Sequence, residues 1–347
     1  MTEHLDAHAV ILAGGIGSRF WPASTPDRPK QLLPLTGVQP LIEETLDRAV
    51  DLLGPGRVMV VTSNPLAAAF DRMGVLGGTA VLAEPVARGT APALAWAAYQ
   101  LERREPGAIM ISMHADHRIH PAAGLHASLT RAIALADEGY LVCIGARPDR
   151  PETGYGYVRL GEDLGDGGHV VDAFVEKPDA ETAEEYLAGG DHLWNTGIFV
   201  WRCTDLLAAV DEHAPEVPLA PLADADVDGF FQGCRTVSID VAVMERAERV
   251  ATVEARFEWD DVGVWDALAR TRATDAAGNV AIGAARLLDA TDNIVWTEST
   301  RANVIGVSGL VIVEANGELL VMPRAEAARL ADWRGRLDAL PESGDEG

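Results

Sequence analysis

The sequence predicts an α/β fold: a mostly parallel sheet covered on both faces, followed by a small β-rich part. Three observations predict it. Short apolar runs alternate with amphipathic stretches from residue 9 to residue 145. Beyond Tyr155 strand-like and helix-like pieces continue with looser alternation. After Ala276 brief Val/Ile/Leu pieces recur behind asparagines and between glycines.

The apolar runs Ala9–Leu12, Val58–Thr62, Ala80–Ala83, Ile109–Met113 and Leu141–Gly145 read as strands. Helical patterns lie between them at Leu41–Leu53, Pro65–Met73, Ala91–Arg104 and Ala122–Asp137. Strands are expected next at Gly156–Leu160, Val170–Val175 and Ile198–Trp201, and helices at Ala180–Leu187 and Asp205–Glu212. Pro215–Gly233, rich in Pro and Asp, reads as an irregular surface segment. Helices near Val241–Arg249 and Val264–Arg272 close the main domain. Asn279, Asn293 and Asn303, with Gly306, Gly309 and Gly317, suggest strands that turn repeatedly as in a small β-solenoid. A helix near Ala325–Leu340 and an acidic, frayed tail end the pattern. The expected domains are 1–275 and 276–347. In such sheets ligands bind beyond the carboxyl ends of the strands, so chemistry belongs in the loops that follow them.

Composition sets limits. No apolar run approaches the roughly 20 residues of a membrane span. The polar start Met-Thr-Glu-His-Leu-Asp lacks the features of a signal peptide, and a cytoplasmic protein is expected. Cys143, Cys203 and Cys234 show no CxxC spacing and read as buried free thiols. A formal charge of −25 argues against nucleic acid or an anionic membrane as partner. An enzyme of phosphates would have to gather positive charge locally against that field. Of 28 basic residues, all but Lys30 and Lys177 are arginine. A lysine in this background marks a place for a compact ammonium on a thin stem.

The first strand runs into Ala13-Gly14-Gly15-Ile16-Gly17-Ser18-Arg19, then through Trp21-Pro22 to Arg28-Pro29-Lys30. Glycines let a backbone approach a phosphate. The loop is not a dinucleotide fingerprint, since Phe20 takes the third glycine position, and it lacks the G-K-[ST] ending of a Walker A loop. Arg19, Arg28 and Lys30 form a positive cluster countered by Asp27. Further on, Glu84-Pro85 through Thr90 follows a strand and opens a helix, with Thr90 as expected N-cap. Glu84 reads either as a solvated carboxylate paired with Arg88 or as an acceptor for guanine, whose N1–H and 2-amino group lie side by side. His114-Ala115-Asp116-His117 invites a metallo-hydrolase reading, but Ser112 breaks the H-x-H-x-D-H pattern.

The segment Gly14-Gly15-x-Gly17-x-Arg19-x-x-Pro22 with Pro29-Lys30 resembles the signature of sugar-nucleotide pyrophosphorylases. The Trp21 and Lys30-Gln31 variant is similar to their mannose-1-phosphate guanylyltransferase branch. Thr25-Pro26-Asp27 departs from that branch, which often carries Arg after Ser. Ala115-Asp116-His117, Thr153-Gly154-Tyr155-Gly156-Tyr157, Glu176-Lys177-Pro178, Trp194-Asn195-Thr196-Gly197 and Trp259-Asp260-Asp261-Val262-Gly263 extend the resemblance in order along residues 8–270. Thr196 stands where Ser is common.

The resemblance implies a Rossmann-like, GT-A-like nucleotidyltransferase domain with a β-helix-like C-terminal domain. That second domain would pack on the first or on a second subunit, so a homodimer is one expectation. It implies GTP and mannose 1-phosphate as substrates. Arg19 and Lys30 would hold the triphosphate, while Ala13, Gly14, Gly15, Gly17, Glu84, Pro85 and Thr90 bind the nucleotide. Gly154, Glu176 and Asn195 would take the hexose, Lys177 its phosphate, and Asp116 with Asp261 a Mg²⁺ ion. Asp260 and Asp266 read as solvated or structural. Two alternatives stay open: another sugar 1-phosphate such as a heptose, or a catalytically silent sensor of GDP-mannose.

Overall fold

The computed structural model describes residues 4–340; the polar start at 1–3 and the tail at 341–347 lie outside the described residues. The chain divides into two compact units. One holds the described residues up to Gly14 together with Glu43–Trp259; the other holds Gly15–Ile42 and the described residues from Asp260. The contact division thus runs at residue 260 instead of 276, and the early segment Gly15–Ile42 belongs with the C-terminal strands. The physical reason is a shared apolar cluster: Phe20, Leu33 and Leu35 pack with Trp265, Trp296 and Val313.

The first unit is built on a nine-stranded sheet. Its strands in chain order are β1 (His8–Leu12), β2 (Val58–Ser63), β3 (Ala80–Glu84), β4 (Ile109–His114), β6 (Leu141–Ala146), β7 (Tyr157–Gly165), β8 (Gly168–Val175), β9 (His192–Arg202) and β10 (Val250–Glu254). Two short strands, β5 (Arg118–His120) and β11 (Glu258–Asp260), lie outside that sheet. The spatial order is β3-β2-β1-β4-β9-β6-β10-β8-β7. The pairings β1–β2, β1–β4, β2–β3 and β6–β10 are parallel. β9 lies antiparallel between β4 and β6, and β8 is antiparallel to β10 and β7. Within this sheet β8 and β9 therefore run against the others.

The parallel strands read as unbroken apolar runs because helices cover both of their faces. These are α1 (Leu41–Leu53), α2 (Asn64–Met73), α3 (Thr90–Arg104) and α4 (Ala122–Asp137), all at the expected places, followed by α5 (Ala180–Gly189) and α6 (Cys203–His213). Local signals set their ends. α2 carries Pro65 in its first turn and stops at Gly74 in the left-handed region. The Asp179 carboxylate caps α5 by accepting the Thr182 N–H at 2.9 Å.

Two expectations fail, and one strand was not foreseen. Pro215–Gly233 is not irregular throughout: it carries α7 (Ala220–Ala223) and α8 (Val227–Gly233). Asp226 caps the second of these, and Phe230 and Phe231 are fully buried. The helix expected at Val241–Arg249 is a π-turn at Asp240–Met244. The residues after it enter β10, an unforeseen strand between β6 and β8. All three cysteines are free and buried, as their contexts suggested.

In the second unit β12 (Val280–Ile282), β14 (Ile294–Thr297) and β16 (Leu310–Ala315) stack in parallel register, and β17 (Glu318–Pro323) returns antiparallel. A second pair joins β13 (Ala285–Leu288) to β15 (Ala302–Ile305). Buried asparagines bind the successive turns together. Asn293 Nδ2 donates to Asn279 Oδ1 at 3.0 Å and to the Val307 carbonyl at 3.1 Å. Asn293 Oδ1 accepts the Leu310 N–H at 3.0 Å. Asn303 does not join this stack; it is exposed on β15. The closing segment is a 3-10 stretch, Arg324–Arg329, leading into a helix at Leu330–Leu337. Among the described residues no helix is long and apolar enough to cross a membrane.

Candidate active site

In the first unit several of the expected residues lie where strands end, while Asn195 lies within β9. β1 continues into Ala13, whose N–H donates to the Val61 carbonyl and whose carbonyl accepts the Thr62 hydroxyl at 2.7 Å. That fixes the start of the glycine segment; Gly14 follows, exposed. β4 leads into Asp116, whose carboxylate forms a cluster with His114 and His117, their ligand atoms all within 4.8 Å of one another. The indole N–H of Trp259 donates to His117 Nδ1 at 3.1 Å. A hard carboxylate such as Asp116 suits Mg²⁺, whereas the imidazoles beside it suit softer ions.

Glu84 ends β3 and is 8% exposed. Its Oε1 is buried without a hydrogen-bond partner, and burial pushes the carboxyl up to about 7. The alternative pairing with Arg88 is not formed, because Arg88 Nε donates to the Phe231 carbonyl. A buried acceptor left open at a strand end is costly, and a ligand with paired donors would relieve it. Pro85 is exposed beside it. Thr90 is the first residue of α3 and not its cap, which is Gly89. Its hydroxyl accepts the Ile239 N–H at 2.9 Å.

Glu176, Asn195 and Gly156 meet at one place. A Cβ on Gly156 would lie 2.7 Å from Glu176 Oε2 and 3.5 Å from Asn195 Cβ, so only glycine leaves room there. Lys177 has φ 50, in the left-handed region. That departure from extended backbone breaks the side-to-side alternation of a strand. Glu176 and Lys177 accordingly face each other as an ion pair. Gly154 lies in the exposed loop before β7, its N–H donating to Glu152 Oε1.

The second unit holds the remaining glycines, Arg19, Lys30 and Asp261. Gly15 and Gly17 have φ 81 and φ 76. A Cβ on Gly17 would stand 2.3 Å from Lys30 Cβ, so the loop and the lysine require each other. Lys30 is 6% exposed, and its Nζ donates to the Asp261 carbonyl at 2.9 Å. Arg19 is exposed at the loop's end. Arg28, expected in the same positive cluster, is drawn off by Glu298.

Asp261 sits in a tight turn. Val262 has φ 46, a strained value for a β-branched residue. The turn is held by Val262 N–H to Asp260 Oδ1 at 2.8 Å and Gly263 N–H to Asp261 Oδ1 at 3.1 Å. Asp260 is buried and paired with Arg270, and Asp266 pairs with Arg270 and Arg324, so both are structural. Asp261 is half-buried, and a hard carboxylate in a fixed turn suits Mg²⁺ as well.

The signature described as nucleotidyl transferase matches residues 8–278. The mannose-1-phosphate guanylyltransferase of Klebsiella pneumoniae is 37% identical over 335 residues, covering 91% of this chain and 70% of that protein. The chain belongs to the nucleotidyl transferase family, in its mannose-1-phosphate guanylyltransferase branch. A second relative of this nucleotidyl transferase, the mannose-1-phosphate guanylyltransferase of Escherichia coli, is 36% identical over 333 residues, again 91% of this chain and 70% of the relative. A crystal structure from Thermus thermophilus, described as a mannose-1-phosphate geranyltransferase, superposes with a TM-score of 0.89 at 35% identity. It covers 96% of this chain and all of that one, 100%.

Some polar residues of this nucleotidyl transferase escaped the sequence reading. Asp240 is one: Asn195 Nδ2 donates to its Oδ1 at 2.7 Å. Another is Arg150, whose guanidinium lies 4.8 Å from the Trp194 ring beside Asn195. Trp259, already part of a quoted segment, links the same region: it stacks edge-on with Tyr155 at 5.0 Å while its indole N–H donates to His117. Asp240 carries no local signal, since its partner Asn195 lies 45 residues away.

Proposed function

We propose that this nucleotidyl transferase joins GTP and mannose 1-phosphate into GDP-mannose with release of pyrophosphate. The likeness to curated guanylyltransferases across nine tenths of the chain carries the reading. The meeting of Glu176 and Asn195, the ammonium of Lys177 beside them and the open acceptor of Glu84 support it.

A phosphate oxygen of mannose 1-phosphate attacks the α-phosphorus of GTP in line. The new P–O bond forms as the bond to the bridging oxygen breaks, and pyrophosphate leaves with that electron pair. The attacking phosphate is already ionised near neutral pH, so the protein need only align the partners and neutralise charge. Arg19, Lys30 and the backbone of Ala13, Gly14, Gly15 and Gly17 hold the triphosphate. Glu84, Pro85 and Thr90 frame the base. Gly154, Glu176 and Asn195 take the hexose hydroxyls, and Lys177 its phosphate. Asp116 and Asp261 are the carboxylates that would hold Mg²⁺, which when bound neutralises phosphate charge.

Turnover with GTP, ATP and UTP against mannose, glucose and heptose 1-phosphates, read as pyrophosphate release, tests the proposal. GTP with mannose 1-phosphate is expected to be fastest. A heptose preference would reassign the sugar, and tight GDP-mannose binding without pyrophosphate release would make the chain a sensor.

Glu84 makes the nucleotide half separately testable. Only its ionised form can accept both guanine donors, so the KM for GTP is expected to fall as pH rises through about 7. Glu84→Gln should raise that KM and flatten its pH dependence between pH 6 and 8. A KM that stays level with pH in the wild type would remove Glu84 from base recognition. Folding responds with the opposite sign. The raised carboxyl favours the folded state fully below its ordinary value of 4.5, and that contribution is lost as pH rises through about 7.

A cytoplasmic location fits an activity that consumes GTP. The second unit reads as a β-helix-like domain and supports a homodimer. Ile305, Leu319 and Val321 stand exposed along a groove of about 710 Å³, next to the edge strand β17.

A further inference from the structure

The side-chain amide of Asn195 has its orientation set from two sides. The Gly197 N–H donates to Oδ1 at 3.0 Å, and Nδ2 donates to Asp240 Oδ1 at 2.7 Å. A backbone N–H can only donate, so Oδ1 must face Gly197 and Nδ2 must face Asp240. One N–H and one lone pair of the amide remain for a ligand. Asn195 is 9% exposed, so the amide sits in packed surroundings.

Asp240 is half-buried by area, and its carboxyl is pushed up first by desolvation and then by the nearby Glu176 carboxylate. A desolvated acid near another acid is costly, and such groups cluster at functional sites. It opens a π-turn, a rare conformation that recurs at functional sites. Its segment is anchored on the far side as well. Thr90 Oγ1 accepts the Ile239 N–H, and the Val237 N–H donates to the Arg88 carbonyl at 3.0 Å. Gly89, with φ 86, would place a Cβ 2.4 Å from the Val237 carbonyl oxygen, so no side chain fits between the two strands of chain. Residues 237–240 thus run from the base-side loop to the sugar-side asparagine.

We propose that Asp240 is a positioning residue for the sugar half of the site: it aims the free N–H and lone pair of Asn195 at the hexose hydroxyls. This rests on the function proposed above. Asp240 acts through Asn195 and does not itself touch the sugar.

The test uses the full chain with three substitutions. Asp240→Ser shortens the side chain so that its oxygen no longer reaches Asn195 Nδ2, Asp240→Asn keeps an Oδ1 in the same place, and Asn195→Ala removes the group acted upon. Asp240→Ser is expected to raise the KM for mannose 1-phosphate about tenfold, a typical cost of misaligning one binding group, while the KM for GTP stays within about twofold. Asp240→Asn should restore most of the loss. In the Asn195→Ala background Asp240→Ser should add nothing, since the two act as a unit. Equal movement of both KM values, full additivity in the double variant, or Asp240→Asn as damaged as Asp240→Ser would each overturn the proposal.

A readout independent of turnover is the Asn195 side-chain amide signal in ¹⁵N NMR, assigned by its loss in Asn195→Ala. It should stay sharp in Asp240→Asn and broaden in Asp240→Ser; a spectrum unmoved by Asp240→Ser sinks the idea. A wild-type chain without pyrophosphate release would instead overturn the reading of function, and the amide signal would still report on Asp240.

Discussion

Lys30→Arg is expected to lower kcat by about a hundredfold, although it preserves charge. The wild-type side chain threads a narrow place. Its Cβ stands where a side chain on Gly17 would have to go, and its Nζ reaches the Asp261 carbonyl. Guanidinium is wider, planar and longer, so it cannot follow the same path without shifting the glycine loop. Gly17→Ala attacks the same packing from the other side, with a Cβ 2.3 Å from Lys30 Cβ and an L residue forced to φ 76. Both variants should lose turnover with far smaller changes in the KM for mannose 1-phosphate. Initial rates of pyrophosphate release at saturating substrates are the measurement. Lys30→Arg at wild-type rate would refute the idea that the chain's scarce lysines mark phosphate contacts.

The second large effect concerns stability. Asn293→Ala is expected to cost about 3 kcal/mol, since it removes the three hydrogen bonds of the amide and leaves a small void. Asn293 is fully buried, and its amide joins Asn279, Val307 and Leu310. The bond to Asn279 is wholly buried, while those to Val307 and Leu310 lie nearer the surface. Asn293→Asp should be nearly as costly, because it keeps the acceptor for Leu310 and loses both donations. Urea unfolding followed by tryptophan emission, to which Trp296 on β14 opposite Val313 of β16 contributes, reads this. A midpoint unchanged in Asn293→Ala would mean the asparagines are incidental.

Much of the fold was legible because its early strands announce themselves. β1, β2 and β4 are buried on both faces, so burial leaves its mark as an unbroken apolar run. β10 escaped since five residues, Val-Ala-Thr-Val-Glu, carry too short a pattern after a charged stretch. The π-turn before it mimics a helix in sequence. Pro215–Gly233 misled because prolines and aspartates mark turns, while Phe230 and Phe231, which anchor the segment, look like any apolar pair.

Within the candidate site, Lys30 and Lys177 stood out by rarity and Glu84 by its place at a strand end. Asp240 could not stand out, because its meaning lies in a partner 45 residues away. Nor did the glycine loop disclose that Leu33 and Leu35 pack with residues near the other end of the chain.

That last pairing sets an order for synthesis. Phe20, Leu33 and Leu35 leave the ribosome early, yet Trp265, Trp296 and Val313 come more than two hundred residues later. Until then the loop that carries Arg19 and Lys30 has no floor to rest on. The nascent chain must keep a sticky segment waiting while the large sheet between completes itself, which makes residues 15–42 the stretch that a chaperone would have most reason to hold.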